Sequence, residues 1–185
     1  MNFNDHSNLE GLHAFLGASK YSWLNYDEEK LSESYLKALA KQKGTKLHDL
    51  AKQLIEMGIK LPKTNKTLNS YVNDAIGYKM TPEQTLFYSV NCFGTADAIS
   101  FKKDFLRIHD LKTGVTPASM HQLEIYTALF CLEYDVNPND IGIELRIYQM
   151  DQVIVHDPPR EDILYIENKI VNFDNLIEQL KEEEL

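Results

Sequence analysis

The chain has only two cysteines, Cys92 and Cys131, in 185 residues. Both sit in apolar surroundings, the usual place for a free thiol, so two buried thiols are expected. Two thiolates also fall short of the four that an iron–sulfur cluster needs. A reducing, cytoplasmic setting fits this usage. No apolar run approaches the ~18–20 residues that span a bilayer, so no membrane partner is expected. The N-terminus, MNFNDHSNLE, has neither the basic nor the apolar region of a secretory signal. Internal repeats and low-complexity linkers are missing too. Nor is there an excess of positive charge: the net charge is −9, which taken alone argues against a partner made of phosphates.

What is there is unevenly spread. Residues 37–66 carry eight lysines against Asp49 and Glu56, while residues 151–185 carry ten acids against Arg160, Lys169 and Lys181. The first stretch suits either a phosphate-facing surface or a solubilised helical lobe. The second reads as a solvated acidic helix, ending Glu182-Glu183-Glu184-Leu185. The apolar content of 43% is enough for an ordinary core, and the length suits one domain.

Patterning predicts a single domain over 1–185. A mainly helical part covers 1–83, a sheet core 84–156 and a C-terminal acidic helix 157–185. A short helix start is expected between Leu12 and Leu24, with Trp23 as a packing anchor. Helices follow over 28–41 and from Gly44 to near Gly58, the second with apolar positions at Leu47, Leu50, Ala51, Leu54 and Ile55. A short helix at 66–78 lies in a polar segment. Strands are expected at Leu86–Phe93, Ala96–Phe101 and Phe105–Leu111, a helix at 118–134, and strands at Gly142–Met150 and Gln152–His156. A closing helix covers 161–183. That order makes a mixed α/β fold, a small sheet flanked by helices.

The chemistry concentrates between Gly94 and Gly114. Strand side chains alternate, so Leu106, Ile108, Asp110 and Lys112 share one face. An acid that follows two core residues on that face is expensive unless paired or metal-bound. Asp97 opens the preceding strand, and pairing of the two strands brings it towards Asp110. Two carboxylates at one sheet edge form a hard-oxygen site for Mg2+ or Mn2+. A lysine beside them can orient a water or meet transition-state charge. A simple ion pair between Asp110 and Lys112 explains the same spacing.

The string Gly94-Thr95-Ala96-Asp97-Ala98-Ile99, then Asp110-Leu111-Lys112-Thr113-Gly114, then Gln122-x-x-x-Tyr126, resembles the PD-(D/E)xK nuclease superfamily. It looks most like the RecB-like, phage recombination-exonuclease (lambda-exonuclease-like) branch. Gly44-Thr45-Lys46-Leu47-His48 resembles that branch's helix start with a metal-binding histidine. Leu16–Leu24 resembles its N-terminal motif, which helps hold a DNA end or phosphate. These motifs occur in family order across residues 13–126.

The resemblance implies a restriction-endonuclease-like core. It implies His48, Asp97, Asp110 and the Leu111 carbonyl as metal ligands, with Asp97, Asp110 and Lys112 as the catalytic set. Gln122 and Tyr126, one turn apart, brace Lys112 or touch the DNA backbone. Ser19 and Lys20 are phosphate-binding candidates, with N-capping an equal role for Ser19. The function implied is a Mg2+- or Mn2+-dependent deoxyribonuclease, an exonuclease on linear duplex DNA in phage or prophage recombination. Duplex DNA ends are the implied partner, with a single-strand-annealing or single-strand-binding protein beside them, and a homo-oligomer is compatible. A structure-specific or nicking endonuclease with the same centre, and a non-catalytic binding module on the same fold, are the alternatives. Without the motifs His48 reads as a partly exposed helix histidine, and Tyr126 and Phe130 as core. His13 stays undecided, His109 reads as structural or surface, His121 as surface, and His156 as a strand exit.

Overall fold

A computed structural model describes residues 4–183. Glu184 and Leu185, the end of the acidic run, lie outside the described residues. The chain forms two compact units, Met1–Lys43 and Gly44–Leu185. In the first, 3-10 turns at Ser7–Leu9 and Ala18–Asn25 precede a helix that begins at Glu28. Asp27 accepts from the Lys30 N–H at 2.8 Å, a capping bond, and Glu28 and Glu29 complement the helix dipole in the first turn. Phe15 meets Tyr35 edge to face at 5.2 Å. The Trp23 indole, half-buried, donates to the Gly17 carbonyl at 3.0 Å. The cap of the Ala18–Asn25 segment is Gly17, without a side-chain bond, so Ser19 is not an N-cap.

The two helices expected over 28–41 and 44–58 are one helix, α1, Glu28–Met57. Gly44 does not break it. A helical glycine costs about 1 kcal/mol against alanine, and here the cost has a local reason. A Cβ on Gly44 would stand 2.8 Å from Thr113 Oγ1, so only glycine lets the helix pass this close to the loop after the third strand. The helix stops where expected. Gly58 is left-handed (φ 67°), and the Gly58 and Ile59 N–H groups donate to Ile55 and Leu54, a Schellman ending.

Helix α2 (Thr67–Gly77) follows. The sheet is built from β1 (Thr81–Ser89), β2 (Cys92–Lys102), β3 (Phe105–Leu111), β4 (Gly142–Gln149) and β5 (Gln152–His156). Helix α3 (His121–Tyr134) connects β3 to β4, and α4 (Arg160–Glu183) closes the chain. The strands lie side by side in chain order. All pairs are antiparallel except β3–β4, which is parallel and needs the α3 crossover. This is the mixed α/β sheet flanked by helices that the patterning predicts. The boundary read at 83/84 falls inside β1.

The strand expected at Leu86–Phe93 is corrected: it straddles a hairpin, with Phe87 paired to Phe93 across Val90 and Asn91. A mostly apolar run, broken only by Ser89 and Asn91, hid that turn. Strand β1 starts earlier, at Thr81, and tolerates Pro82 because it is an edge strand. Strand β2 likewise starts at Cys92 and not at Ala96. The other two hairpins turn through Lys103-Asp104 and Met150-Asp151, all four with φ between 50° and 58°. That is the primed-turn geometry that matches strand twist, achieved without glycine. Asp151 then serves α2: its carboxylate accepts from the Thr67 N–H (2.9 Å) and from Lys66 (2.7 Å).

One face of the sheet packs Leu106, Ile108, Leu145 and Ile147 against Leu123, Leu129 and Ile163 of α3 and α4. The other packs Ala98, Leu111 and Tyr148 against Ala51, Tyr71, Val72 and Ala75. His109 lies on this second face, fully buried, which decides for its structural reading and against the surface. It stacks between Tyr78 and Tyr148. The Tyr148 hydroxyl donates to Asp74 at 2.7 Å, so the His109 Nδ1–H donates to the Tyr148 oxygen (3.2 Å). The Nε2 lone pair is left without a partner. Of the cysteines, Cys131 is buried and Cys92 only half-buried.

Candidate metal centre

Three elements of the second unit bring the chemical groups together. The β2–β3 register, Ala98 opposite His109 and Ile99 opposite Ile108, makes Asp97 and Asp110 the next pair along the two strands and so sets the two carboxylates side by side. Asp97 stands in the middle of β2, not at its opening. Its Oδ2 accepts from the Leu111 N–H at 2.8 Å. Helix α1 presents His48 one turn before buried Ala51, and His48 Nδ1 lies 3.5 Å from Asp97 Oδ1.

The third element is β1, and its contribution was not expected from the sequence. Glu83 Oε1 lies 3.9 Å from His48 Nδ1. One ligand atom from each of His48, Glu83 and Asp97 falls within 4.8 Å of the others, the one such group among the described residues. The β1–β2 ladder runs through Pro82–Ala98 and Gln84–Ala96 and skips Glu83, whose φ is +49°. Left-handed backbone costs roughly 1–2 kcal/mol for a residue with a Cβ, and such strain gathers at functional sites. The register itself carries the missed signal. A hairpin about Val90-Asn91 with the bulge between Phe87 and Ser89 sets position 83 opposite position 97, but the segment up to 83 reads as a polar connection when β1 is started too late.

Asp110 is 2% exposed. Its Oδ1 pairs with Lys112 Nζ at 3.1 Å, so the ion pair foreseen from spacing exists. It does not satisfy the acid: Asp110 Oδ2 is buried with no hydrogen-bond partner. A buried carboxylate oxygen without a donor is costly and is the kind of group a cation satisfies. Burial, then the Asp97 carboxylate, push the Asp110 carboxyl up to about 6. Burial and Asp97 raise Glu83 as well. The hydrogen bond to Asp97 raises His48, which also bonds the Leu111 backbone. Carboxylate oxygens suit hard ions such as Mg2+ or Mn2+, and the imidazole beside them also suits softer divalent metals. His48, Glu83 and Asp97, with Asp110 beside them, would hold the ion.

Lys112 follows β3 directly. Its N–H donates to the Tyr148 carbonyl at 2.9 Å, which extends the strand and keeps the ammonium on the Asp110 face. Nζ also donates to Gln122 Oε1 (2.8 Å), and Gln122 Nε2 donates to the Tyr126 hydroxyl (2.9 Å). Gln122 and Tyr126 thus brace Lys112. Tyr126 is half-buried, whereas Phe130 belongs to the core. Gly94 explains itself here: a Cβ would meet the Tyr126 ring at 2.8 Å, so the glycine seats the tyrosine that seats Gln122.

The remaining candidates lie apart from this group or in the other unit. Ser19 and Lys20 are exposed within the 3-10 segment of the first unit, and His13 is exposed there too. His121 is exposed and His156 ends β5, as expected, but both have a further role. They bond the two oxygens of Glu124, at 2.8 and 3.2 Å, and Glu124 is buried. No helix among the described residues is long and apolar enough to cross a membrane. Comparison of the chain with protein-family models, with curated proteins and with solved structures finds no match.

Proposed function

We propose that the chain is a Mg2+- or Mn2+-dependent deoxyribonuclease. The observation that carries this reading is the bare, buried Oδ2 of Asp110 next to His48, Glu83 and Asp97, with a braced lysine on its other oxygen. An ion held there supplies acidified water and charge neutralisation at a phosphoryl oxygen. The protein's own part is positioning. Asp97 and Asp110 would face the ion from the neighbouring strands β2 and β3, and Lys112 offers a cation to the phosphoryl charge or orients the attacking water. Attack by water on phosphorus forms one P–O bond and breaks the P–O3′ bond. The water proton passes to the leaving oxygen, giving a 5′-phosphate and a 3′-hydroxyl. Linear duplex DNA in phage or prophage recombination is the substrate in this reading. An annealing or single-strand-binding companion offsets the chain's negative charge.

Nucleotide release from linear duplex with Mg2+ or Mn2+ tests it, wild type against Lys112→Ala. The variant is expected to lose about a hundredfold or more, as for removal of a transition-state donor. Equal release by the two proteins assigns the activity to a contaminant. Covalently closed circles survive an exonuclease and are opened by the endonuclease alternative. A second expectation concerns the brace. Gln122→Ala lowers the cleavage rate about tenfold and leaves Mn2+ affinity unchanged, because Gln122 touches Lys112 and no ligand. Calorimetric Mn2+ titration beside the rate assay separates the two effects.

A further inference from the structure

Beyond the carboxyl ends of the parallel pair β3 and β4 lies an open cleft of about 340 Å³. Ligand sites of open α/β sheets favour that place. Leu47 of α1, Leu68 of α2, Leu111, Gly114, Val115 and Met150 line it, all in the second unit. It meets the candidate metal centre through Lys112, which lies on its wall and pairs with Asp110.

The lining is mostly apolar, and the cations on it are engaged. Lys66 is paired with Asp151 at 2.7 Å, and Lys112 with Asp110 and Gln122. A phosphate placed inside would lose water and gain few donors. A base and sugar would instead bury apolar faces while their own phosphate stayed at the metal centre. The volume lies at the lower end of the range for small-molecule sites, room for one nucleoside and none for a stacked pair. The loop that forms one wall is fixed from beneath. Buried Gln149 donates from Nε2 to the carbonyls of Gly114 (2.6 Å) and Thr116 (2.8 Å) and accepts from the Ala118 N–H (3.2 Å).

We propose that this cleft binds one unstacked nucleoside, that of a nucleotide flanking the scissile phosphate. The inference rests on the nuclease reading and names its substrate more closely: a strand end whose last nucleotides leave the stack. Unstacking costs least where a base is unpaired or terminal.

Gly114 provides the test. A Cβ there meets nothing within 4 Å and its φ is ordinary, so Gly114→Leu fills the cleft without disturbing the backbone bonds to Gln149. Val115, 80% exposed, gives a second variant, Val115→Asp. Linear duplexes are compared with normal and with abasic nucleotides, placed in turn on each side of the scissile bond. With wild type, loss of the base at the bound position is expected to lower kcat/KM about tenfold, from lost apolar burial. With either variant the normal substrate falls to that same level, and removing the base changes nothing further. Mn2+ affinity stays at the wild-type value. If the variants and the abasic substitution instead multiply independently, or wild type ignores the missing base, the cleft holds no nucleoside and the nuclease reading stands. If wild type cleaves neither duplex, the nuclease reading fails and this inference with it.

Discussion

Asp110→Asn is expected to abolish cleavage and at the same time to make the metal-free protein more stable at pH 7. The two effects share one cause. The carboxyl at 110 is pushed up to about 6 by burial and by Asp97, from an ordinary value near 3.8. A carboxyl raised in the folded state contributes stability that is complete below about pH 4 and is lost as pH rises through about 6. At neutral pH the charged form is therefore a burden of roughly 2–3 kcal/mol. The amide keeps an oxygen for Lys112 and removes the repulsion with Asp97. Urea unfolding in a chelating buffer should show the variant ahead of wild type at pH 7 and level with it at pH 4. Added Mn2+ should stabilise the wild type, by mass action, and leave the variant where it was. A variant no more stable than wild type at pH 7, with unchanged cleavage, removes Asp110 from both roles.

His109→Leu is expected to have the opposite pH signature, although the two positions are adjacent. Burial, then Arg146 and Arg107, hold the His109 imidazole down to about 3. The folded protein thus keeps it neutral while the unfolded chain protonates it near 6.5. Its contribution is complete above pH 6.5 and falls by about 1.4 kcal/mol per pH unit as pH drops towards 3. Leucine is close in volume, fits between Tyr78 and Tyr148, and does not titrate. Between pH 6 and 4 the wild type gains from Asp110 and loses from His109, and the two slopes oppose each other. The variants separate them. Relative to wild type, His109→Leu should gain stability on acidification across that window and Asp110→Asn should lose it. Parallel profiles for wild type and His109→Leu would show that His109 is charged or solvated in the folded state.

The parts of the fold written in short-range patterns are legible in the sequence. The hydrophobic spacing of α1 after Gly44, the strand at Phe105–Leu111 and the α3 crossover all carry their own periodicity. That Asp110 and Lys112 share a face follows from strand alternation alone, whereas their candidacy as site residues came from the resemblance. The illegible parts depend on partners distant in sequence. Gly44 looks like a helix break until Thr113 is placed against it. Phe87 to Phe93 looks like one strand because β-branched Val90 sits at the turn between two apolar stretches, and that misplacement hid Glu83. Gln149 shows no sign of its role, since the loop it holds lies more than thirty residues away in the chain. The resemblance gives Gln122 and Tyr126 two roles, and only the folded chain shows that Gln122 bonds Lys112 and Tyr126 bonds Gln122.

The order of strands in the sheet also sets an order of events. Asp97, Asp110 and Lys112 belong to one hairpin whose paired residues, such as Ala98 and His109, are close in the chain. The parallel partner β4 joins through Phe105 and Gly142, across the whole of α3. Closing the shorter loop costs about 1 kcal/mol less than closing the longer one, and contacts near in sequence form first. The acidic pair is therefore forced together early in folding, before the second half of the sheet exists to cover it. The proposed ion site would then have its two central carboxylates side by side before the parallel half of the sheet is in place.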